Sequence, residues 1–285
     1  MPPLRRRLKE IEAQLRQAGI PHADQEAARL LRAFSSMTPL DWTDPAHPGL
    51  SPEQEARLQV ALVRRCQREP LAYILGSVPF MGLELEIDER TLIPRPETEL
   101  LVEHVIQDLK ARQVARPQIL DLCTGSGCIA LSLADRLPQA HVAASDLSPE
   151  ALDLSRKNGQ RLGLEVEWRC GDLLAPWQGR SFDLLVCNPP YIARKEWEGR
   201  LDPEVQREPA LALYGGEDGL LFYRRLAAEL PAVLAQKAMI WLEIGFDQGN
   251  QVKEIFASLG RGKVWSDWSG QDRFFQLEVG STSEL

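Results

Sequence analysis

The chain has 285 residues and a formal net charge of −8; 44% of its residues are hydrophobic and 26% are charged. That length admits one large and one small domain, and the ordinary globular composition excludes a disordered chain. The acidity weighs against affinity won by neutralising nucleic-acid phosphates, no run approaches the ~18 apolar residues of a membrane span, and "MPPLRRRLKEIEAQL" lacks the apolar stretch of a signal peptide, so the expected location is the cytoplasm.

Leu4, Leu8, Ile11 and Leu15 at helical spacing predict a helix over residues 4–18, and Ala27, Leu30, Leu31 and Phe34 a second over 23–34. A third begins in "SPEQEARLQVALVRRCQ", where Ser51 can cap, Pro52 suits the first helical position, and Glu53 and Glu55 complement the helix dipole. Residues 1–75 therefore read as a helical bundle, with the basic clusters "LRRRLK" and "VRRCQR" expected on solvated faces. Residues 76–95 change texture: "GLELEI" alternates apolar and acidic residues and is followed by "DER", which predicts a β-hairpin connector turning at that point. Pro94 and Pro96 hold Arg95 rigidly before the helix "PETELLVEHVIQDLKARQ".

From residue 96 to 285 strands and helices alternate. "QILDLC", "HVAASD", "VEWRC" and "FDLLVC" read as strands, with "GCIALSLADRL" and "PEALDLSRKNGQRLG" as helices between the first three. This pattern predicts a mostly parallel sheet covered on both faces. Residues 192–219 form a long polar stretch without periodicity, expected to be functional or mobile. The helix "DGLLFYRRLAAELPAVL", the strand "AMIWLEI", the helix "QGNQVKEIFASLG" and the β-like runs "KVWSDWS" and "DRFFQLEVG" follow. Cys66, Cys123, Cys128, Cys170 and Cys187 are odd in number and contain no C-x-x-C pair, so free, mostly buried thiols are expected, with no disulfide framework and no metal site. His22, His47, His104 and His141 lie in no motif and are expected at the surface.

"ILDLCTGSGCIALSLA" sets a strand ending near Asp121 against a turn with Gly125 and Gly127 and then a helix. Glycines permit the sharp turn and let a ligand approach the backbone, although an ordinary tight turn would use them too. Asp146 ends the next strand, where a carboxylate can accept both hydroxyls of a ribose. Its plain alternative, a helix N-cap, is already filled by Ser148 in "DLSPE". Asp172 in "RCGDLLAPW" could orient an adenine with Leu173 packing on the base; a solvated turn aspartate is the alternative.

A nicotinamide dinucleotide and S-adenosylmethionine both contain such a nucleoside. "DLLVCNPPYIAR" separates them. The proline pair ends the strand and leaves carbonyls without amide partners beside Asn188 and Tyr191. A planar nitrogen is a poor nucleophile, and a site that accepts both of its N–H groups, through the Asn188 side-chain oxygen and the Pro189 carbonyl, orients it and raises its electron density. Tyr191 could stack on its plane. A methyltransferase acting on such a nitrogen needs this turn; a nicotinamide enzyme does not.

With "NPPY", "TLIPRPETE", "DLCTGSGCIALSLA", "REPALALYGGEDGL", "LEIGFDQG" and the ending "SGQDRFFQLE", the chain resembles, over almost its whole length, the release-factor glutamine methyltransferases of the HemK/PrmC type. The resemblance implies an α/β, Rossmann-like, mostly parallel seven-stranded sheet of the class I methyltransferases. It divides the chain into a helical substrate-recognition domain (1–75), a hairpin connector (76–95) and a methyltransferase domain (96–285). The implied reaction moves a methyl group from S-adenosyl-L-methionine, leaving S-adenosyl-L-homocysteine, to the amide nitrogen of the glutamine in the Gly-Gly-Gln motif of peptide chain release factors. On matching positions, Cys123, Thr124, Gly125, Ser126 and Gly127 would surround the methionine end of the cofactor. Asp146 would take the ribose and Asp172 with Leu173 the adenine, while Asp121, Leu147 and Asn188 complete the cofactor set. Asn188, Pro189, Pro190 and Tyr191 would hold the substrate glutamine. A cytoplasmic monomer without membrane or stable nucleic-acid binding is expected.

Three other readings remain: glutamine methylation of a large-subunit ribosomal protein, methylation of the exocyclic amine of adenine in nucleic acid, and a non-catalytic binding module. Cys123 stands where the family commonly has glycine; because Gly125 and Gly127 remain, an ordinary negative φ is expected there.

Overall fold

The computed structural model describes residues 3–35, 37–38, 40–199 and 201–280. They divide into two compact units, one running up to Ser77 and including Asp202–Arg207, the other comprising Val78–Leu201 and Glu208 onward. Among the described residues no helix is long and apolar enough to cross a membrane.

The first unit contains α1 (Pro3–Gln17), α2 (Ala23–Ser35), α3 (Pro52–Cys66) and α4 (Leu71–Leu75). The expected stripes, Leu4, Ile11 and Leu15 on α1 and Ala27, Leu30 and Leu31 on α2, are buried in one cluster with Leu58 and Leu62 of α3. Ser51 caps α3 through a capping box: its hydroxyl accepts the Gln54 N–H and the Gln54 side chain accepts the Ser51 N–H. Within "VRRCQR", Val63 and Gln67 are exposed as expected, but Arg65 is not. Arg65 lies on the same stripe as Leu58 and Leu62, and its side chain is 3% exposed, so its charge needs partners. Glu26 supplies one at 2.6 Å and Glu204 another at 2.9 Å; Glu204 also takes Arg68 at 2.7 Å.

A hairpin of β1 (Ser77–Phe80) and β2 (Leu83–Glu86) follows. Its turn falls at Met81–Gly82, with φ of 51° and 87°, and not at "DER" as expected. Two consecutive positive φ values match the twist of a two-residue hairpin turn, and "LELE" is the returning strand. Asp88 instead closes a separate turn, accepting the Arg90 N–H at 3.1 Å.

The sheet unit continues with α5 (Pro96–Ala111), β3 (Gln118–Leu122), α6 (Cys128–Arg136), β4 (His141–Asp146), α7 (Pro149–Leu162), β5 (Glu167–Cys170) and β6 (Phe182–Cys187). It ends with α8 (Arg194–Trp197), α9 (Leu221–Glu229), β7 (Leu234–Glu243), α10 (Gly249–Ile255), β8 (Gly260–Ser266) and β9 (Asp272–Val279). Among the described residues seven strands form one sheet in the order β5-β4-β3-β6-β7-β9-β8. β9 runs antiparallel to both β7 and β8, while β5, β4, β3, β6 and β7 pair in parallel, so the expected α/β sheet is present. Alternate residues feed two apolar layers: Leu120, Leu122, Leu185 and Cys187 face Trp177 and Tyr223, while Ile119, Leu184 and Val186 face Leu101, Val105 and Ile129.

The chain winds outward from β3 to β5 and then returns to β6 on the other side of β3. That reversal opens a crevice at the carboxyl ends of β3 and β6, where ligands bind in open α/β sheets. The two ends of the 192–219 stretch are tied to each other: the Ile192 N–H bonds the Leu213 carbonyl and the Gly215 N–H bonds the Ile192 carbonyl, each at 2.9 Å. His104 departs from the surface expectation, stacking on Trp241 with ring centroids 5.3 Å apart; burial lowers its pKa. The five cysteines are free, Cys128 and Cys187 buried and Cys170 exposed.

Candidate active site at the carboxyl edge of the sheet

A cleft lies across the carboxyl ends of β3, β4, β5 and β6. On its β3–β4 side the carboxylates lean largely on backbone N–H groups. Asp146 accepts the Gly125 N–H at 2.8 Å on one carboxylate oxygen and the Ser148 N–H at 2.9 Å on the other. A carboxylate offers about four lone-pair sites, so each oxygen keeps one for a ligand hydroxyl. Burial raises the Asp146 pKa, and the Ser148 and Gly125 N–H groups oppose that rise. The N-cap of α7 is Ser148, whose hydroxyl accepts the Ala151 N–H at 3.1 Å, so Asp146 is not spent on it.

Asp121 lies beneath the glycine turn and is fully buried. Its Oδ2 accepts the Thr124 hydroxyl at 2.6 Å and the Ala130 N–H at 3.1 Å, whereas Oδ1 has no partner among the described residues. Burial pushes its pKa up to about 7; Thr124 and Ala130 oppose this and the nearby Asp146 charge adds to it. An unpaired polar atom inside a protein is unfavourable, and one beside a cleft marks a place where something polar can dock.

The turn itself corrects one expectation. Cys123 has φ of 57°, in the left-handed region, and not the ordinary negative value. The chain must reverse sharply at the end of β3 so that the Thr124 N–H reaches the Ser145 carbonyl at 3.1 Å, and Cys123 accepts the strain while its side chain packs against the cluster containing Cys187. Such a conformation costs a non-glycine residue ~1 kcal/mol. Gly127, with φ of 83°, precedes α6, and a Cβ there would sit 3.0 Å from Ser155 and 3.1 Å from Leu131. Leu173 is likewise left-handed, with φ of 43°. Asp172 bonds Arg225 at 2.8 Å.

On the β6–β7 side the polar groups bind one another. The Asn188 Nδ2 donates to the Thr98 hydroxyl at 3.4 Å, and that hydroxyl donates to Glu243 at 2.7 Å. The Tyr191 hydroxyl donates to the other Glu243 oxygen at 3.3 Å. Glu243 is 1% exposed; burial raises its pKa, and the Thr98 bond and the Arg273 charge oppose the rise. Gln248 ties the turn down by donating to the Tyr191 carbonyl at 3.0 Å. Nearby, Glu208 accepts the Ile93 N–H at 3.0 Å and Arg95 at 2.5 Å, fixing the segment that leads into α5.

Of the residues singled out from the sequence, Cys123 to Ser126, Asp146, Leu147, Asp172, Leu173, Asn188 and Pro190 line the cleft. Asp121, Gly127, Pro189 and Tyr191 do not: the first two support the turn from beneath, and Tyr191 stands off the wall with its hydroxyl engaged by Glu243. Sequence reasoning missed Thr98, Glu208 and Glu243. Each lies inside a stretch that carried the resemblance, "PRPETE", "REPALAL" and "LEIGF", but no local pattern marks these three. Among the described residues no group of three or more His, Cys, Asp or Glu is placed to hold a metal ion.

Residues 96–217 match the family described as Methyltransferase small domain and residues 7–76 the PrmC N-terminal domain. The chain is 39% identical over 277 residues to the release factor glutamine methyltransferase of Chlamydia trachomatis serovar L2, spanning 96% of this chain and 94% of that protein. It is 38% identical over 272 residues to that of Deinococcus radiodurans, spanning 95% and 96%. Among solved structures, a methyltransferase from Pyrococcus furiosus aligns with a TM-score of 0.54 at 17% identity, over 80% of this chain and 98% of that one. The T. thermophilus 16S rRNA N2 G1207 methyltransferase, in complex with AdoMet and guanosine, aligns with a TM-score of 0.51 at 19% identity, over 72% and 50%. At such identities these two structures share the fold with this chain.

Proposed function

Because the chain belongs to the release factor glutamine methyltransferase family, we propose that it transfers a methyl group from S-adenosylmethionine to the side-chain amide nitrogen of the glutamine in the Gly-Gly-Gln motif of peptide chain release factors. The observation that carries this reading is Asn188 on the wall of the same cleft as the glycine turn and Asp146.

The residues present suit the cofactor. The open turn at Gly125, the Ser126 hydroxyl on the cleft wall and the spare lone pairs of Asp146 offer polar groups where a ligand carrying an ammonium, a sulfonium and a ribose needs them, with the unpaired Asp121 Oδ1 beneath the turn. Cys123 to Gly127 with Asp121 would surround the methionine end, Asp146 beside Leu147 the ribose, and Asp172 with Leu173 the adenine. When bound, S-adenosylmethionine supplies an electrophilic methyl group, so the protein needs no strong base. Asn188 Oδ1 and the Pro189 carbonyl would accept both N–H groups of the substrate amide and direct its lone pair, and the apolar wall at Pro190 and Leu211 would keep water out. Tyr191 would brace the turn through Glu243.

The helical unit is the natural docking element for the release factor, since a tripeptide buries too little surface for selectivity. A cytoplasmic monomer without stable nucleic-acid binding completes the reading. The net charge of −8 argues against DNA or RNA as substrate, and the names of the relatives favour release factors over a ribosomal protein. The test is transfer of labelled methyl to unmodified release factor, to the same factor with its glutamine changed to alanine, and to adenine-containing DNA. Label on the first alone is the expected result; label on DNA, or on none of the three, overturns it.

A further inference from the structure

The Asn188 amide can face the cleft in two orientations that differ by the exchange of its oxygen and nitrogen. One accepts N–H groups and the other donates them, so the orientation decides what the site can bind. We propose that Thr98 and Glu243 are positioning residues that hold the Asn188 oxygen toward the substrate, and that they thereby make the site select an amide side chain over a carboxylate. The proposal rests on the reading of Asn188 as the group that receives the substrate glutamine.

The orientation follows from one end of the chain of bonds. Glu243 ends β7, is almost fully buried, and when ionised can only accept. The Thr98 hydroxyl, in the first turn of α5, has a single hydrogen and gives it to Glu243 at 2.7 Å. Only lone pairs remain on that hydroxyl, so the group 3.4 Å away on Asn188 has to be the donor Nδ2. The Asn188 oxygen is then the atom left for the cleft, which Asn188 lines. Tyr191 donates to the second Glu243 oxygen; burial raises the Glu243 pKa, and the Thr98 bond, the Arg273 charge and the Tyr191 bond act against it to favour the carboxylate, with Glu97 opposing. An amide NH2 meets an acceptor in this arrangement. A glutamate carboxylate would meet lone pairs with lone pairs.

The bland alternative is that the Thr98–Glu243 bond staples α5 to β7. A staple would govern stability, but it would leave the ratio of affinities for glutamine and glutamate untouched. Glu243→Gln distinguishes the two. Its new NH2 can donate to Thr98, which frees the Thr98 hydrogen for the Asn188 oxygen and turns the Asn188 amide around.

The experiment compares the wild type with Thr98→Ser, Thr98→Val, Glu243→Gln and Asn188→Ala. Calorimetry with S-adenosylhomocysteine present gives the affinity for release factor and for its glutamine-to-glutamate variant; methyl transfer and cofactor affinity are measured alongside. The wild type is expected to prefer glutamine by at least ~10-fold, and Thr98→Ser to retain that preference within ~3-fold. Thr98→Val and Glu243→Gln are expected to lose at least ~10-fold in kcat, to keep cofactor affinity within ~2-fold, and to bind the two factors within ~3-fold of each other. Thr98→Val or Glu243→Gln with the full wild-type preference overturns the proposal, whatever the kcat. Inactive Asn188→Ala beside such variants leaves Asn188 in its role and removes only Thr98 and Glu243. Normal turnover by Asn188→Ala removes the underlying reading as well.

Discussion

On the β3–β4 side of the cleft, side chains lean mostly on backbone: Asp146 on the N–H groups of Gly125 and Ser148, and Asp121 on that of Ala130 as well as on the Thr124 hydroxyl. On the β6–β7 side they lean on other side chains, Asn188 on Thr98, and Thr98 and Tyr191 on Glu243. A backbone cradle is fixed by the fold of one turn, so its parts can be altered one at a time. A side-chain network has to be present whole, because removing one member leaves the next one buried and unpaired. The β3–β4 side should therefore fail gradually and the β6–β7 side abruptly.

The largest effects test that contrast directly. Asn188→Ala should lower turnover by ~10³-fold while cofactor affinity stays within ~3-fold, a loss comparable to removing one preorganised hydrogen-bonding group from an active site. Asp146→Ala should do the reverse, weakening cofactor binding by ~10²-fold with kcat at saturating cofactor close to wild type. Calorimetry with S-adenosylhomocysteine and steady-state kinetics separate the two, and a variant that lost both properties together would erase the division between the halves.

A comparable effect concerns Asp121. Its folded-state pKa, about 7, lies above the ordinary value of 3.8, so between these values the folded protein holds a proton that the unfolded chain has lost. This group's contribution to stability is therefore greatest at low pH and disappears as pH rises through about 7. Between pH 5 and pH 8 it removes roughly 2.5 kcal/mol. Urea unfolding without cofactor should show the Asp121→Asn variant losing less stability over that interval than the wild type. An unchanged slope would mean that Oδ1 already has a partner in solution.

The smallest effect is at Cys123. Glycine there would relieve the left-handed strain but lose the thiol's packing and raise the entropy of the unfolded chain, so Cys123→Gly should stabilise by less than ~1 kcal/mol. A clear destabilisation in denaturant would mean that contact with the Cys187 cluster outweighs the backbone.

The same division explains what could be read beforehand. A cradle made of one turn leaves its signature in a few consecutive letters, and "DLCTGSG", the strand-ending Asp146 and the cap at Ser148 were all legible. The apolar periodicities likewise located the helices and the parallel sheet. The β6–β7 side was legible only at "NPPY". Thr98 and Glu243 are separated by 145 positions and meet because α5 packs near β7, which no local spacing encodes. The hairpin turn was misplaced because "DER" is the more polar segment, whereas the backbone reverses at Met81–Gly82, where positive φ values supply the twist. Arg65 was misjudged because its letter reads as charge while its place on the stripe with Leu58 and Leu62 makes it interior.

The six residues Asp202–Arg207 belong to the helical unit although the chain on either side belongs to the sheet unit. A gene cut after Ser77 would thus divide the sequence in a place where the molecule is not divided. The larger fragment would carry Glu204 without Arg65 and Arg68, and the smaller would keep a buried Arg65 with Glu26 as its remaining carboxylate. Exchanging the amino-terminal portion between relatives would meet the same obstacle, and a chimera that failed would report on a mismatched hexapeptide before it reported on recognition. Moving Asp202–Arg207 together with the first 77 residues is the exchange the fold permits.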